Sequence, residues 1–470
     1  MNSILDLVVN FIQKVQETAF GEEILCLDDM TSRLLAISKD FSIEMTELSL
    51  SLMNEEIRKD KAGRKEMGLT LQEKDRNRTY TTELGDIHYQ RDYFRQTEDG
   101  RFIYLLDRLI EVDPYDRIGK NLSACLVEKA TEVSYAEASR TLTRGRVSRQ
   151  TVRNKIQKLG ALEYREECPK KREVRELHIH ADEDHDHLQK ENKQKGKRLQ
   201  INPLVVVTEG TRPVGAGRNE TIHARRFVDA EFDTGRLADS VEGYLYETYD
   251  MDKVEKVYLH ADGGNWMKGL LADVKQKVDV LDGYHLESRM RKLSSKYPGK
   301  SVRYRLMRAI QNDDRKDADR IFQDLQGKAE TDAVRETVRD TAKYILGHWE
   351  AVVRRMTDDI PGSCTEAQVS HILSARFSRA PMGWSKETLG KLSSQRVYVL
   401  NGGTITGENF SKDEKKQPYA EYMNRYIERI QDRKLDWSIV ERQAERIFDT
   451  ASGTQQAIRN LGRMRDIMLS

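Results

Sequence analysis

The 470-residue chain has few of the features that mark secreted, membrane or zinc-finger proteins. Its four cysteines lie far apart with no CxxC pair, which argues against a zinc finger and favours a reducing compartment. No run approaches the roughly 18 apolar residues of a membrane span. Proline is scarce, at eight residues, so long disordered linkers are not expected. The first twenty residues include Asp6 and lack a basic start, so we expect no secretory signal and a bacterial cytoplasmic location.

Neither sign of charge is in excess. Lys and Arg number 79 and Asp and Glu 78, so the net charge of +1 gives no indication of a nucleic-acid partner. Any basic surface must therefore be local, with acidic residues concentrated elsewhere. The length predicts about three domains.

The first third of the chain changes pattern twice. Residues 1–75 have helical periodicity, and residues 76–116 alternate as a β-hairpin or small meander with turns at Gly85 and Gly100. Residues 117–165 return to helix. In this last segment we predict a helix-turn-helix that binds DNA.

The helix-turn-helix prediction depends on two helix starts and a glycine turn. Ser134 and Glu137 have the spacing of a capping box, a turn follows at Gly145, and Ser148 opens a basic second helix. Arg, Gln and Asn are the side chains that read base edges or bind phosphates. The alternative is a pair of ordinary packed helices with a solvated basic face. The residues predicted to bind DNA are Arg149, Gln150, Arg153, Asn154, Lys155 and Lys158.

Residues 172–285 alternate strands and helices in the order βββαβαβ. Three consecutive strands indicate an antiparallel meander, and strands separated by helices indicate parallel crossovers. We place the strands at 176–182, 201–210, 220–232, 254–262 and 278–285, with helices at 234–250 and 264–277. The segments that follow are predicted as a helical insertion (286–365), a completion of the core (366–410) and C-terminal helices (411–470).

Two of these strands carry echoed motifs, IHAD and LHAD, that end in Asp182 and Asp262. In a βββαβαβ sheet the first and fourth strands can be neighbours, so carboxylates at their ends would converge. Hard divalent cations such as Mg²⁺ or Mn²⁺ prefer such oxygen ligands. Glu366, at the start of a later helix that Thr365 is expected to cap, is the third candidate. Three carboxylates would complete a site for two ions.

Other interpretations of these acidic residues stay open. Each carboxylate alone fits an ordinary cap or turn. The segment 178–187, with four His and three Asp, is a candidate for a separate transition-metal site. Asp184 and Asp186 are alternative first ligands, because a small error in the strand end would shift the choice.

Several further residues are candidates for contacts with DNA or with the site. Asp282 and His285 end the fifth strand and are expected to serve the site as auxiliary residues. Residues 286–310 hold eight basic residues and one acid, Glu287, in a pattern that suits a phosphate backbone or a solvated helix face. Trp266 and Trp384 are expected in the core rather than stacked on a base. The predicted DNA contacts here are Arg289, Arg291, Lys292, Arg376 and Arg379.

The motifs IHADEDH, LHADGGNWMKG, VLDGYHL and CTEAQVSHILSARFSRAPMGWS together resemble those of bacterial insertion-sequence transposases of the ISLre type. The resemblance covers nearly the whole chain. It implies a DDE enzyme with a ribonuclease-H-like domain in which Asp182, Asp262 and Glu366 are the catalytic triad. Asp282 and His285 match a D-x-x-H motif of related families. The helical insertion then accounts for the long spacing of 104 positions from Asp262 to Glu366.

The function implied by this resemblance is metal-dependent cleavage and strand transfer of DNA. The expected partners are terminal inverted repeats and target DNA, with no membrane, and the paired ends imply at least a homodimer at the nucleoid. Two alternatives belong to other classes. One is a nuclease of the same fold that does not join DNA, and the other is a non-catalytic DNA-binding regulator with structural carboxylates.

Overall fold

A computed structural model describes residues 4–21, 25–166, 168–189, 199–215, 218–358, 360, 364–380 and 382–411. The chain divides into two compact units. One comprises residues 1–124 and 406–470, and the other comprises residues 125–405. The predicted C-terminal helices at 411–470 lie outside the described residues except for Ser411. No helix in the described part of the chain is both long and apolar enough to cross a membrane.

The first unit begins with helices and continues into a three-stranded antiparallel sheet. Its elements are α1 (Ile4–Phe20), α2 (Leu27–Lys59), α3 (Lys61–Glu66), β1 (Leu69–Thr81), β2 (Asp86–Gln96), β3 (Phe102–Ile103) and α4 (Leu105–Leu109). The predicted turns form at Gly85 (φ +140°) and Gly100 (φ +70°). β1 starts earlier than the predicted residue 76, because Leu69 already pairs with Gln96 of β2.

Three helices follow, of which the first, α5, contains the boundary between the units. They are α5 (Lys120–Ala130), α6 (Tyr135–Thr143) and α7 (Arg149–Leu159). α6 ends in a left-handed residue, Arg144 (φ +53°), and Gly145 (φ +81°) continues the turn. Positive φ values of this kind end a helix sharply, and glycine adopts them without strain.

The second unit contains a five-stranded mixed sheet, as the sequence predicts. Its strands are β4 (Glu176–His187), β5 (Leu199–Thr208), β8 (Arg225–Phe227), β9 (Lys256–Ala261) and β10 (Lys277–Leu281), with β6 (Thr211–Gly215) and β7 (Arg218–Thr221) forming a separate hairpin. The spatial order is β10-β9-β4-β5-β8. β4, β5 and β8 are antiparallel neighbours, and β9 and β10 are parallel to β4.

The main core lies on one face of this sheet. Leu177, Ile179 and Ala181 of β4 alternate toward this face, where they join Leu259 of β9. The helix α8 (Thr234–Thr248) covers it with Leu237, Val241 and Leu245. The alternation leaves the polar side chains of β4 and β9 on the opposite face.

Two predicted elements differ in the structure. The predicted helix at 264–277 is only a 3₁₀ turn (Trp266–Gly269), because Leu271 adopts a left-handed conformation (φ +59°) that interrupts the helix. The predicted strand at 220–232 is divided between β7 and β8, with His223 at φ +48° between them. In both places the apolar pattern is right but the backbone turns.

Helices make up most of the remaining second unit. They are α9 (Gly283–Ser295), α10 (Val302–Gln311), α11 (Arg315–Gly327), α12 (Asp332–Gly347), α13 (Trp349–Thr357), α14 (Thr365–Val369), α15 (Ala375–Phe377) and α16 (Lys386–Leu400). α9 to α13 share a second core that includes Leu286, Leu306, Phe322 and Ile345. A π-helical turn (Ser370–Ser374) separates α14 from α15.

Candidate active site

Two adjacent strands of the sheet bring Asp182 and Asp262 together. β4 and β9 are parallel and in register, with Ala181 opposite Ala261. The parallel ladder ends at this pair, and Asp182 and Asp262 are the residues that directly follow it on the two strands' paths. The structure thus confirms the predicted adjacency of the first and fourth strands.

The sequence predicts Asp182 at the end of its strand, but the structure places it in the middle of β4. β4 continues to His187 because β5 remains paired with it, from Asp182 opposite Leu204 to His187 opposite Leu199. The strand end that matters is that of β9, which stops at Ala261. The ladder between β4 and β9 therefore ends at Ala181 and Ala261, one residue before each aspartate.

The alternative ligands Asp184 and Asp186 each have a partner of their own. The Ser378 hydroxyl donates to Asp184 at 2.9 Å. Asp186 is fully buried and accepts from Asn202 at 3.0 Å. Burial raises the pKa of Asp186 to about 7, against the opposing effect of the Asn202 hydrogen bond.

The histidine-rich segment is divided between the two faces of β4. His178 and His180 are buried, whereas His185 and His187 are exposed. The buried pair stacks with His260 of β9, and His178 Nδ1 lies 3.1 Å from His260 Nε2. Burial lowers the pKa of His180 to about 3 and that of His260 to about 2, so these rings are neutral at physiological pH.

The electrostatics of Asp182 connect the three predicted carboxylates. Asp182 is 6% exposed, and its pKa is raised to about 7, mainly by burial. The charges of Asp262 and Glu366 raise it further, while a hydrogen bond from the Glu183 amide and the charge of His285 oppose them. All four side chains therefore act on one electrostatic environment.

Glu366 lies in the first turn of α14, which packs against β4. Its neighbour Thr365 is buried, and the Thr365 hydroxyl lies 3.3 Å from His180 Nδ1. Thr365 is not the N-cap that the sequence predicts. Cys364 occupies that position without a capping hydrogen bond from its side chain, and Thr365 is the first helical residue.

Asp282 and His285 form a hydrogen-bonded pair at the start of α9. Asp282 is 1% exposed and caps the helix by accepting from the amides of Tyr284 and His285. His285 Nδ1 also donates to Asp282 Oδ2 at 3.0 Å. This bond raises the pKa of His285, and the charges of Asp182 and Asp262 act in the same direction. Asp282 therefore caps α9 and also holds His285, the histidine whose pKa is raised by the charges of Asp182 and Asp262.

Residues of the helical insertion also reach the site, which the sequence gives no sign of. Gly263 has φ +89°, and a Cβ there would lie 2.5 Å from His348 Nε2. His348 Nδ1 donates to the Tyr344 carbonyl at 2.9 Å. The pKa of the Tyr344 phenol is raised by burial and then by the charge of Asp262. No local motif marks His348, because its contact is made 85 residues away along the chain.

The donor set fits hard divalent cations in its chemistry. Asp182, Asp262 and Glu366 offer only carboxylate oxygens, and a cation would offset the burial and like-charge repulsion that raise the pKa of Asp182. As they stand, the described residues contain no group of three or more His, Cys, Asp or Glu close enough to hold one ion together. The separate histidine site considered from the sequence is likewise not formed among them.

The predicted DNA-binding pair α6–α7 starts with two serine caps. Ser134 accepts from the Glu137 amide and Ser148 from the Thr151 amide. The reciprocal half of the predicted capping box is not formed among the described residues, since the Glu137 carboxylate instead accepts from Arg140 and Thr141. Arg149, Gln150, Asn154 and Lys158 are exposed and Arg153 is partly exposed, but Lys155 is buried and does not lie on the open face.

The other basic candidates differ in their exposure. Arg289, Arg291 and Lys292 are exposed on α9, where Arg291 is bonded to Glu287 and Arg289 lies over the Tyr344 ring. Arg379 is exposed and donates to Ser370. Arg376 is 3% exposed and donates to the Ala130 carbonyl, so it is not the open phosphate contact that the sequence predicts.

The two tryptophans are placed as structural residues. Trp266 is partly buried, and its indole N–H donates to the Glu183 carboxylate, which connects the loop after β9 to β4. Trp384 is 6% exposed and donates to the Phe377 carbonyl.

Comparison with known proteins finds one family. Residues 21–415 match the family described as "Uncharacterised protein family (UPF0236)". UPF0236 protein TTE2489 of Caldanaerobacter subterraneus subsp. tengcongensis is 33% identical over 410 residues, which is 86% of each chain. A second UPF0236 protein of that bacterium, 33% identical over 389 residues (82% of this chain and 80% of the relative), carries eleven locus designations in its name. The family is thus large and paralogous in that bacterium.

Proposed function

Because the chain belongs to the uncharacterised protein family UPF0236, whose members occupy many loci of one bacterium, we propose that it is a DDE transposase of the ISLre type. The observation that carries the proposal is the in-register pairing of β4 with β9, which places Asp182 and Asp262 at neighbouring positions. The charge of Glu366 contributes to the raised pKa of Asp182, which supports placing Glu366 at the same site. Repetition of one protein at eleven loci supports a mobile element over a housekeeping nuclease.

The fold proposed for the second unit is ribonuclease-H-like. Three antiparallel strands followed by two parallel ones, with the first strand next to the fourth, support it. Helices α9 to α13 would then be an insertion between the fifth strand and the helix that carries Glu366. The residues of α12 near Asp262 support the view that this insertion helps to shape the site.

Asp182, Asp262 and Glu366 would hold two Mg²⁺ or Mn²⁺ ions. When bound, such ions activate water or a 3′-hydroxyl and stabilise the leaving oxygen of an in-line displacement. His285 is held through Nδ1 by Asp282, so its Nε2 remains to donate to a phosphate oxygen. Asp262 is positioned by its own loop, since it accepts from the Gly264 amide at 2.8 Å.

DNA recognition is assigned to α6 and α7 as a helix-turn-helix. Gln150 and Asn154 are exposed on one face of α7, where Gln150 Nε2 donates to Asn154 Oδ1 at 3.0 Å. These two side chains are proposed to read base edges. Arg149, Arg153 and Lys158 would bind phosphates, and the exposed basic residues of α9 would assist. Pairing two element ends requires at least a dimer.

The test is an assay of purified protein on DNA that carries the element's own ends, with Mg²⁺ or Mn²⁺. We expect the wild type to produce a 3′-hydroxyl nick and a joined product, and Asp262→Asn to produce neither. Asn keeps an acceptor for the Gly264 amide and removes only the charge. The matched control is Asp279→Asn on neighbouring β10, an exposed carboxylate that should be dispensable.

The other outcomes separate the alternatives. Cleavage without joining would favour a nuclease of the same fold. Tight binding without cleavage by either protein would favour a non-catalytic regulator. Equal cleavage by the wild type and Asp262→Asn would refute the assignment of the carboxylates.

A further inference from the structure

A basic cavity of about 330 Å³ lies where α6 and α7 meet the start of α16. Three arginines line it, Arg149 and Arg153 of α7 and Arg376 of α15. No Asp or Glu is among the lining residues. Ser134 and Ser385, the N-caps of α6 and α16, also line it. Each serine accepts a first-turn amide of its own helix, from Glu137 and from Thr388, so the amino-terminal ends of two helices face the cavity.

Among the residues that the structure describes, the arginines of this cavity have no acidic side chain bonded to them. Neither Arg149 nor Arg153 makes a hydrogen bond or ion pair with any residue that the structure describes. Arg376 stacks over Trp384 at 5.0 Å, bonds only to the Ala130 carbonyl and the Met382 sulfur, and faces no carboxylate in the described part of the chain. Glu387, an acid close enough for Arg153 to help lower its pKa, is bonded to Lys391.

The cavity has a fixed place between the recognition helix and the catalytic strand. Gln395 of α16 donates to the carbonyls of Ile156 and Gly160, which locks the end of α7 onto α16. On the other side, the Trp384 amide donates to His187 at the end of β4 and the Gln189 amide donates to the Trp384 carbonyl. Leu188, which forms a β-bridge with Trp384, is the sixth residue after Asp182, about 20 Å along an extended chain.

Resting on the proposed function, we infer that this cavity binds one backbone phosphate of the element-end DNA, between the bases read by α7 and the bond that is cut. Arg149 and Arg153 are one turn apart on α7, so they face the phosphate from the same side while Gln150 and Asn154 face the bases. A distance of about 20 Å corresponds to about six base pairs of duplex. The contact therefore sets the register of the cut relative to the recognised sequence.

Two variants test the cavity by changing its charge at lining residues that are at least partly exposed. Arg153→Gln removes a charge that has no hydrogen-bonded partner among the described residues. Ala136→Glu introduces an acid at an exposed position in the first turn of α6, where a carboxylate suits the helix dipole. The control is Arg335→Gln, an exposed arginine of α12 paired with Asp332. Circular dichroism verifies that each variant is folded.

Binding is measured by fluorescence anisotropy on the element's terminal repeat in EDTA, across a range of salt concentrations. We expect Arg153→Gln to lose roughly tenfold in affinity and to reduce the salt slope by about one. Ala136→Glu should lose at least as much, and Arg335→Gln should match the wild type. Phosphate ethylation should interfere at a position within about one duplex turn of the cut.

Unchanged affinity and salt slope in both variants would overturn the cavity assignment, as would a wild type that does not bind this DNA. Cleavage assayed in parallel with Mg²⁺ separates the two proposals. Wild-type binding and cleavage by both cavity variants refute the cavity alone. Weakened binding by the variants without cleavage by any protein supports the cavity and refutes the transposase.

Discussion

Gly263, in the loop after β9, lies directly against His348, the residue that follows α12. Its φ of +89° strains any side chain, and His348 occupies the space of a Cβ. We predict that Gly263→Ala destabilises the protein by roughly 2–4 kcal/mol, from backbone strain and overpacking together. Urea unfolding measures the loss, and cleavage should fall because the change adjoins Asp262.

A second glycine separates strain from overpacking. Gly145 has nearly the same φ, +81°, but nothing lies within 4 Å of its missing Cβ. Gly145→Ala should therefore cost only about 1–2 kcal/mol. In a protein that already carries His348→Ala, Gly263→Ala should lower the free energy of unfolding only as much as Gly145→Ala does. If His348→Ala gives no recovery, the contact with His348 is not the cause.

Asp186 should make stability depend on pH. Its pKa is about 7 in the folded protein and near 3.8 when unfolded, so the folded state keeps a proton that the unfolded state has lost. Stability from this group is therefore lost as pH rises from about 4 to about 7. We predict that Asp186→Asn, which stays neutral, removes roughly 2–3 kcal/mol of the difference between pH 5 and pH 8.

Urea unfolding of metal-free wild type and Asp186→Asn at both pH values measures this effect. The difference between the two proteins is the informative quantity, because Asp182 and the buried histidines titrate in both. Parallel stability profiles for the two proteins would show that Asp186 is ionised in the folded state throughout the range.

At the scale of elements, a polar contact between Thr365 and His180 connects α14 to β4 of the sheet. We predict that Thr365→Val lowers cleavage roughly fivefold, the effect of about 1 kcal/mol of lost hydrogen bonding, while DNA affinity stays unchanged. Thr365→Ser should restore activity. Thr341→Val is the matched control, since it removes a buried hydroxyl that donates to the Thr337 carbonyl within α12. Full cleavage by Thr365→Val would mean that Glu366 is positioned by other contacts.

The elements also show what the sequence could predict. Alternating polar and apolar residues in IHAD and LHAD predict two strands with matching faces, and the βββαβαβ order predicts that they can be neighbours, as β4 and β9 are. It could not predict that β4 continues past Asp182, because that length depends on pairing with β5. The helix predicted at 264–277 was wrong. Its apolar residues have helical spacing, but the left-handed conformation of Leu271 interrupts the backbone.

At the scale of the molecule, the residues that sequence reasoning missed are those brought in by distant segments. His348 and Tyr344 belong to an insertion whose own pattern indicates only a helical core. Arg376 was expected to be open to a phosphate because helical spacing puts it near the face of Glu366, but it is buried against the rings of Tyr135, Phe377 and Trp384. Local pattern predicts elements and their faces, whereas the closing of a site depends on packing between elements far apart in the chain.

The proposed function also makes a prediction for the whole assembly. Joining both ends needs two active protomers, whereas one nick needs only one. In an equal mixture of wild type and Asp262→Asn, random pairing leaves both protomers active in about a quarter of the dimers. We therefore predict that joining falls to about a quarter of the wild-type level while single-end nicking falls to about half. Mixing with Asp279→Asn should reduce neither, and joining that falls only in step with nicking would mean that each protomer acts alone.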